Sequence, residues 1–284
     1  MVGANSQATT TTNNESDSGV KPLSYKYRSM ILKNISRWTS VLLAIFMVSI
    51  IGSTLVTISP RIIDELFQES SFARALLFSL QTSLSATVLA AISGVPTGFF
   101  LARNNTLATT IIDTIFDIPI VIPPVVTGII LLSFFNLPLL KHIHYFIFTT
   151  SGAVIAQFII TVPYTIRASK TAFALVPRRY EQIAMTLGAG PVKAFFDTTL
   201  SLALPAIFAG LILSWLRCIG EFGATLMVGG GIQGKTENLP IYIYLKMSCG
   251  DFDKGMAAAI VTVCFAFCGI FVMRFYSSLK DIDT

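Results

Sequence analysis

Long apolar runs separated by short polar breaks dominate this chain. They are VLLAIFMVSIIGSTLVTI (41–58), a stretch from Ala75 to about Ala102 without one charge, IPIVIPPVVTGIILLSFF (118–135), SGAVIAQFIITVPYTI (151–166), TTLSLALPAIFAGLILSWL (198–216) and MAAAIVTVCFAFCGIFVM (256–273). A helix rising about 1.5 Å per residue needs about 20 residues to cross a hydrocarbon core about 30 Å thick, and these runs approach or exceed that length. They are continuously apolar and do not alternate, which argues against a closed β-barrel. The pattern predicts an all-α polytopic membrane protein of about six transmembrane helices. Pro96, Pro119, Pro123, Pro124, Pro163 and Pro205 fall inside or beside these spans, where neighbouring helices can satisfy the carbonyls they free.

One polar interval is more than a connector. Residues 177–197 read PRRYEQIAMTLGAGPVKAFFD. Pro177 suits a helix start, Ile183 and Leu187 share a face with Tyr180 nearby, and Gly188 is a natural stop. After Gly190, VKAFFD suits a second short helix returning to the bilayer. An amphipathic helix here either lies on lipid headgroups or docks into a groove of a cytoplasmic partner.

Composition and charge sharpen the picture. With 53% hydrophobic residues, 12% charged residues and a mean hydropathy of +0.71, the charged fraction is about half that of a soluble domain. Placing the N-terminus inside leaves 13 Lys and Arg on the cytoplasmic side against six outside, with both termini and the 177–197 loop cytoplasmic. The net charge of +5 then reflects topology and gives little reason to expect a nucleic-acid partner. The first 20 residues are polar and predict a disordered tail. A cleaved signal peptide is not expected, because the first apolar run begins near residue 41 behind five basic residues. The domain reading is a polar tail and basic segment over 1–38 and a membrane domain over 39–284, with a cytoplasmic loop at 177–197 and an external loop at 229–255. No internal repeat is visible.

Candidate chemistry is sparse. GGGIQGKT (229–236) satisfies the phosphate-loop pattern letter for letter, yet that motif works only between a strand and a helix N-terminus. A membrane span precedes it, so a flexible external loop is the better reading. His142 and His144 lack nearby Cys, Asp or Glu for a metal. Cys218, Cys249, Cys264 and Cys268 make no metal or redox pattern, and Cys264 and Cys268 are expected to pack inside a span. Asp113 and Asp117 are expected at the positive end of the third span. No Ser-His-Asp set, Cys-His pair or HExxH string supports an enzyme.

Arg217 and Glu221 are different, because they interrupt the run LRCIGEFGATLMVGG. A charge at the centre of a membrane helix costs about 2.5–3.5 kcal/mol on insertion scales, so such residues face protein or water and have partners. At i and i+4 they can neutralise one another. Two readings stay open: a local pair that fixes packing, or a pair beside a translocation path for an anion. Gly220 and Gly223 flank the Glu and permit a close contact or a break. Pro123-Pro124, followed by Thr127 and Gly128, is either a bent core helix or a flexible constriction.

The 177–197 segment resembles the EAA loop of ABC importer permeases. Aligned on Gly188, that pattern falls on Gln182, Ile183 and Ala184, with Glu181 one position early; Gln182 replaces the usual acid, Ile183 replaces an alanine, and the later Leu-Pro falls on Leu200-Ser201 with a proline at Pro205. DIPIVIPPVVTG (117–128), TVPYTIRASKTAFALVP (161–177) and CIGEFGATLMVGGGIQGKT (218–236) are similar to the signatures of sulfate and molybdate/tungstate permeases, in the same order, over roughly 70–276.

The resemblance implies a type I importer fold, with Arg179, Tyr180, Glu181, Gln182, Ala184, Leu187 and Gly188 in an ATPase-coupling loop. It implies that Pro123, Pro124, Thr127, Ser214, Arg217 and Glu221 lie along a translocation path or gate. It further implies a homodimer in the plasma (inner) membrane, two ATP-binding cassette subunits inside and an oxyanion-binding protein outside. ATP and Mg belong to the partner subunit, and this chain carries no cofactor or catalytic residue. Molybdate or tungstate is the expected cargo and sulfate or thiosulfate the alternative. A secondary transporter is more remote, since it gives no reason for the Gly-broken amphipathic loop.

Overall fold

The computed structural model describes residues 23–139 and 144–282, with side chains for 33–54, 58–139 and 144–275. The polar tail expected over 1–20, together with Lys141 and His142, lies outside the described residues. The chain divides into two compact units, one up to Ser53 and one from Thr54 onward. Helix α1 (Leu23–Thr57) absorbs the first expected span into a 35-residue helix that begins in the basic segment.

The second unit contains α2 (Pro60–Gln68), α3 (Ser70–Arg103), α4 (Leu107–Val121), α5 (Pro124–Phe135) and α6 (Thr150–Ala174). It continues with α7 (Arg179–Thr186), α8 (Pro191–Ile219), α9 (Gly223–Gly229), α10 (Leu239–Ser248) and α11 (Phe252–Ile282). Residues Phe195–Leu200 form a π-helical stretch inside α8. All regular structure among the described residues is helical.

The third expected span is corrected. It is not one helix: α4 and α5 meet at an angle of 111°. Pro123 and Pro124 supply no N–H, and a residue before proline is pushed out of the helical region. Ile122 (ψ 134°) and Pro123 (ψ 135°) are accordingly extended between the two helices.

Among the described residues four helices are long and apolar enough to cross a membrane, or five if α4 and α5 count as one span. The remaining expected span is α6, whose length suffices at 25 residues but whose sequence is more polar. Its position explains this. Helix α6 is the centre of the unit, packed by α3, α8, α9 and α4, and it buries Gln157, Thr161, Thr165 and Ser169. A helix lined by protein has less need of a lipid-soluble surface. Helix α3 buries a stripe of small residues, including Ser79, Ser83, Ala86, Ala90, Gly94 and Gly98, and at Gly94 and Gly98 it lies directly on Thr165, Ile166 and Ser169 of α6, where small residues let the backbones approach closely.

The ends of α3 mark the two ends of this bundle, about 50 Å apart for 34 residues. At its start Glu69 binds Lys246 Nζ at 2.7 Å and Lys254 Nζ at 3.1 Å, and accepts from the Tyr242 hydroxyl at 3.2 Å. Helices α3, α10 and α11 are thereby tied together. Partial burial opposes the ionised carboxylate, but the hydrogen bonds from Lys246, Ser71 and Lys254 outweigh it and draw Glu69 down to about 2 from 4.5.

A depressed carboxylate stabilises the fold fully above its unfolded value and stops doing so as pH falls through its folded value. The advantage of wild type over Glu69→Gln in thermal unfolding of the detergent-solubilised protein should therefore be constant down to about pH 4.5 and vanish near pH 2. An advantage already lost at pH 5 would rule out this network as drawn.

Candidate functional site

Two helix breaks meet inside the bundle. Helix α8 stops at Ile219, Gly220 caps it, and α9 starts at Gly223. This break touches the one between α4 and α5. A Cβ on Gly223 would lie 2.8 Å from Val125 Cγ2 and 2.9 Å from the Val125 nitrogen, so only glycine allows α9 to sit on the first turn of α5. Above the contact Ala224 and Val228 join Leu131, Phe135, Ala156 and Ile160 in one apolar cluster. The junction lies well inside the bundle, because Cys218 Sγ donates to Gln157 Oε1 on α6 at 3.6 Å, about two turns from the start of that helix.

Glu221 occupies the α8–α9 break, so the pair with Arg217 spans an interruption and not a continuous helical turn. Arg217 Nη1 lies 2.7 Å from Glu221 Oε2, and the Glu side chain is only 1% exposed against 32% for the Arg. Glu221 Oε1 also accepts from the Ala224 N–H at 3.0 Å, while its carbonyl accepts from Asn238 Nδ2 at 2.7 Å. One buried carboxylate thus neutralises a cation and satisfies an otherwise orphaned N–H at the start of α9.

The other expected path residues divide. Pro123 and Pro124 sit at the α4–α5 break and are exposed and half-buried respectively. Thr127 is buried on α5, and Ser214 is buried between α8 and α6, where its Oγ accepts from Thr165 Oγ1 at 3.2 Å. Within this protomer Ser214 makes a helix–helix contact.

At the other end of the bundle α7 stands clear of the core, with no buried residue. Tyr180, Ile183 and Leu187 form an i, i+3, i+7 stripe with exposures of 49%, 56% and 83%. Arg179 and Gln182 are also exposed, whereas Glu181 and Ala184 are half-buried. The helix ends in a Schellman motif. The Gly188 N–H donates to Met185 O and the Ala189 N–H to Ala184 O, both at 3.0 Å, and Gly188 has φ +93°, a conformation that glycine adopts without strain.

Glu181 faces inward and joins three elements. It accepts from Thr199 Oγ1 in the π-helical stretch of α8 and, at 3.5 Å, from Arg103 Nη2 at the end of α3. Arg103 Nη1 also donates to the Val176 carbonyl at 3.0 Å, and Arg178 donates to the Arg103 carbonyl. A displacement of α7 therefore pulls on α3 and α8 directly. Sequence reasoning placed Glu181 in this loop but had no signal for Arg103 or Thr199, which are 78 and 18 residues away.

Several expectations change. Asp113 and Asp117 lie well past the first turn of α4, and their partners are cations of α6. Asp117 makes a two-fold contact with Arg167, Nε to Oδ1 and Nη2 to Oδ2, both at 2.7 Å, and Asp113 binds Lys170 Nζ at 2.6 Å. Ion pairing thus replaces the helix dipole as the reason for these acids. Cys264 and Cys268 are exposed on α11 and do not pack inside, whereas Cys218 is buried. His144 Nε2 lies 3.1 Å from Ser151 Oγ.

The phosphate-loop lookalike follows α9 and precedes α10, with no strand before it and no helix start at its Lys-Thr. Thr236 is fully buried and closes the loop on itself, donating to the Gly229 carbonyl at 2.6 Å and accepting from the Ile232 N–H at 3.0 Å.

Comparison with known proteins places this geometry. The family model for the inner membrane component of binding-protein-dependent transport systems matches residues 94–280. The molybdenum transport system permease protein ModB of Mycobacterium tuberculosis is 34% identical over 240 residues, 81% of this chain and 90% of that one. The molybdate/tungstate transport system permease protein WtpB of Pyrococcus abyssi is 33% identical over 168 residues, 59% of this chain and 65% of that one. A chain of a bacterial alginate ABC transporter, crystallised with its alginate-bound periplasmic protein, superposes with a TM-score of 0.62 at 18% identity, covering 90% of this chain and 94% of that one. The last likeness concerns the fold alone.

Proposed function

This chain belongs to the family of inner membrane components of binding-protein-dependent transport systems, and from that premise we propose that it carries molybdate or tungstate inward as one of two identical permease subunits. It is a multi-pass membrane protein and the pore-forming subunit of an ABC importer, working with ATPase subunits and a binding protein. The cargo reading is supported by the relatives named for molybdenum and for molybdate/tungstate transport. Sulfate has the same tetrahedral shape and charge and is the second reading. ATP hydrolysis, with its Mg, is assigned to the partner ATPase and no cofactor to this chain.

The observation that carries the mechanism is the construction of α7. An apolar stripe on a polar segment marks a protein contact, and the inward side of the same helix grips α3 and α8 through Glu181. Closure of the ATPase pair on ATP pushes α7, and α8 transmits the push to the break where α9 meets α5. Alternating access follows from two interrupted helices that can re-pack against each other.

The test is uptake of labelled molybdate into vesicles containing the permease, its ATPase and its binding protein, with tungstate and sulfate as competitors. Uptake that needs ATP and yields to tungstate before sulfate supports the reading. Uptake without any ATPase would replace it with a secondary transporter.

Orientation has its own check. The excess of basic residues supports a cytoplasmic α7 loop and cytoplasmic termini, with the 229–255 loop outside. A membrane-impermeant thiol reagent applied to intact cells should label a cysteine introduced at Gln233 and spare one at Ala189. Reversed labelling would move the ATPase contact to the wrong side and overturn the assignment.

A further inference from the structure

Below the paired breaks, three cations descend toward the α7 end of the bundle, each with a carboxylate of its own. Arg217 is paired with Glu221 at 2.7 Å, Arg167 with Asp117 at 2.7 Å and Lys170 with Asp113 at 2.6 Å. Tyr164 of α6 lies near Arg217, and one turn further along α6 comes Arg167. Tyr164, Arg167 and Lys170 follow one another at intervals of three residues and so span about 9 Å of the axis.

None of the three cations is sealed in the protein. The side chains of Arg217, Arg167 and Lys170 are 32%, 58% and 38% exposed in the protomer. Ionised groups in a membrane bundle face water or protein and avoid lipid, so this face of α6 borders an aqueous path. Asp113, Asp117, Arg167, Lys170 and Thr171 line a cavity of about 460 Å³ there. At about 30 Å³ per water it has the room of roughly fifteen waters, ample for a hydrated tetrahedral anion.

We propose that Arg217, Arg167 and Lys170 form a ladder of carboxylate-screened cations along which the oxyanion descends from the helix breaks to the cytoplasmic mouth. The proposal rests on the oxyanion-importer reading above. An unscreened arginine would hold a dianion with charge-assisted bonds and slow its release. A carboxylate on each cation makes every well shallow, and the three-residue spacing of Arg167 and Lys170 keeps the lower two wells close. The bland alternative is that the two lower pairs only clip α4 to α6.

The two accounts differ in whether the anion enters the cavity. In the full complex, with Cys249, Cys264 and Cys268 replaced by serine, Thr171→Cys reports on the cavity through its reaction with anionic and cationic thiosulfonates of equal size. On the ladder account Asp117→Asn unscreens Arg167 and raises the anionic-to-cationic rate ratio, while Arg167→Gln lowers it. Each change should be at least about fivefold, the effect of one unit charge a few ångströms away at high dielectric. Molybdate on the ATPase side should slow the anionic reagent, and more so in Asp117→Asn.

If α4 is merely clipped, molybdate on the ATPase side slows the reagent neither in the unmodified complex nor in Asp117→Asn, and that result overturns the ladder. Absence of oxyanion uptake by the unmodified complex would instead defeat the importer reading, whatever the labelling ratios.

Discussion

Arg217→Ala is expected to leave membranes with less than about a tenth of the wild-type amount of folded permease, while Arg217→Met combined with Glu221→Gln restores close to the full amount. The Glu221 side chain is 1% exposed and has two direct partners, Arg217 Nη1 at 2.7 Å and the Ala224 N–H at 3.0 Å. Removing the guanidinium strands a carboxylate in the interior, which costs about 3–5 kcal/mol when one member of a buried pair is deleted. Glu221→Gln alone costs less, about 1–2 kcal/mol, because its amide oxygen still accepts from Ala224 and Arg217 keeps partial access to water. The order of damage, Arg217→Ala well beyond Glu221→Gln, is the discriminating outcome. It is read as permease abundance in membranes and as thermal unfolding in detergent. Equal damage from the two would mean that Glu221 is not the costly buried partner. Uptake per molecule of the double variant then decides the role of Arg217: a fall of about tenfold or more places the cation on the anion's route, and normal uptake confines it to packing.

Much of this architecture is legible in the sequence, because membrane helices are specified locally: about 20 apolar residues in a row have few alternatives in lipid. The same locality explains the Pro123-Pro124 break, where missing donors and a restricted preceding residue act within three positions. What the pattern could not supply was partners. Sequence position suggested only the positive end of a helix for Asp113 and Asp117, and their cations are 57 and 50 residues further on. Glu69 gave no signal at all, since the lysines that fix it are 177 and 185 residues away. The i, i+4 spacing of Arg217 and Glu221 did identify a true pair, but spacing alone implied a continuous helix. Gly220 interrupts that helix, and the carboxylate then serves a second purpose at the start of α9. Polarity within α6 carried information in the opposite sense: Gln157, Thr161, Thr165 and Ser169 lowered its hydropathy because it is the helix that others surround.

The strongest effect on coupling is expected at Gly188. A side chain there meets nothing within 4 Å inside the protomer, so bulk alone leaves the bundle intact. Its φ of +93° adds backbone strain of about 1–2 kcal/mol for most side chains, and asparagine tolerates this region best. Gly188→Asn should therefore keep the Schellman turn and most of the ATPase contact. Gly188→Trp adds the same strain and a large ring beside Leu187, at the end of the exposed Tyr180–Ile183–Leu187 stripe. Helix α7 itself stays anchored through Glu181 to Arg103 and Thr199, which keeps the Trp variant folded in the membrane. We expect Gly188→Trp to insert at the wild-type level, to recover less than about a tenth of the ATPase in a pull-down and to abolish ATP-driven oxyanion uptake, since lost docking energy of only about 1.4 kcal/mol already costs tenfold in affinity. Gly188→Asn should retain at least about half of both, because it changes the turn little. If the Trp variant binds ATPase and transports normally, α7 is not the surface that receives the ATPase. The links from Glu181 to α3 and α8 would then hold a peripheral helix in place and transmit nothing.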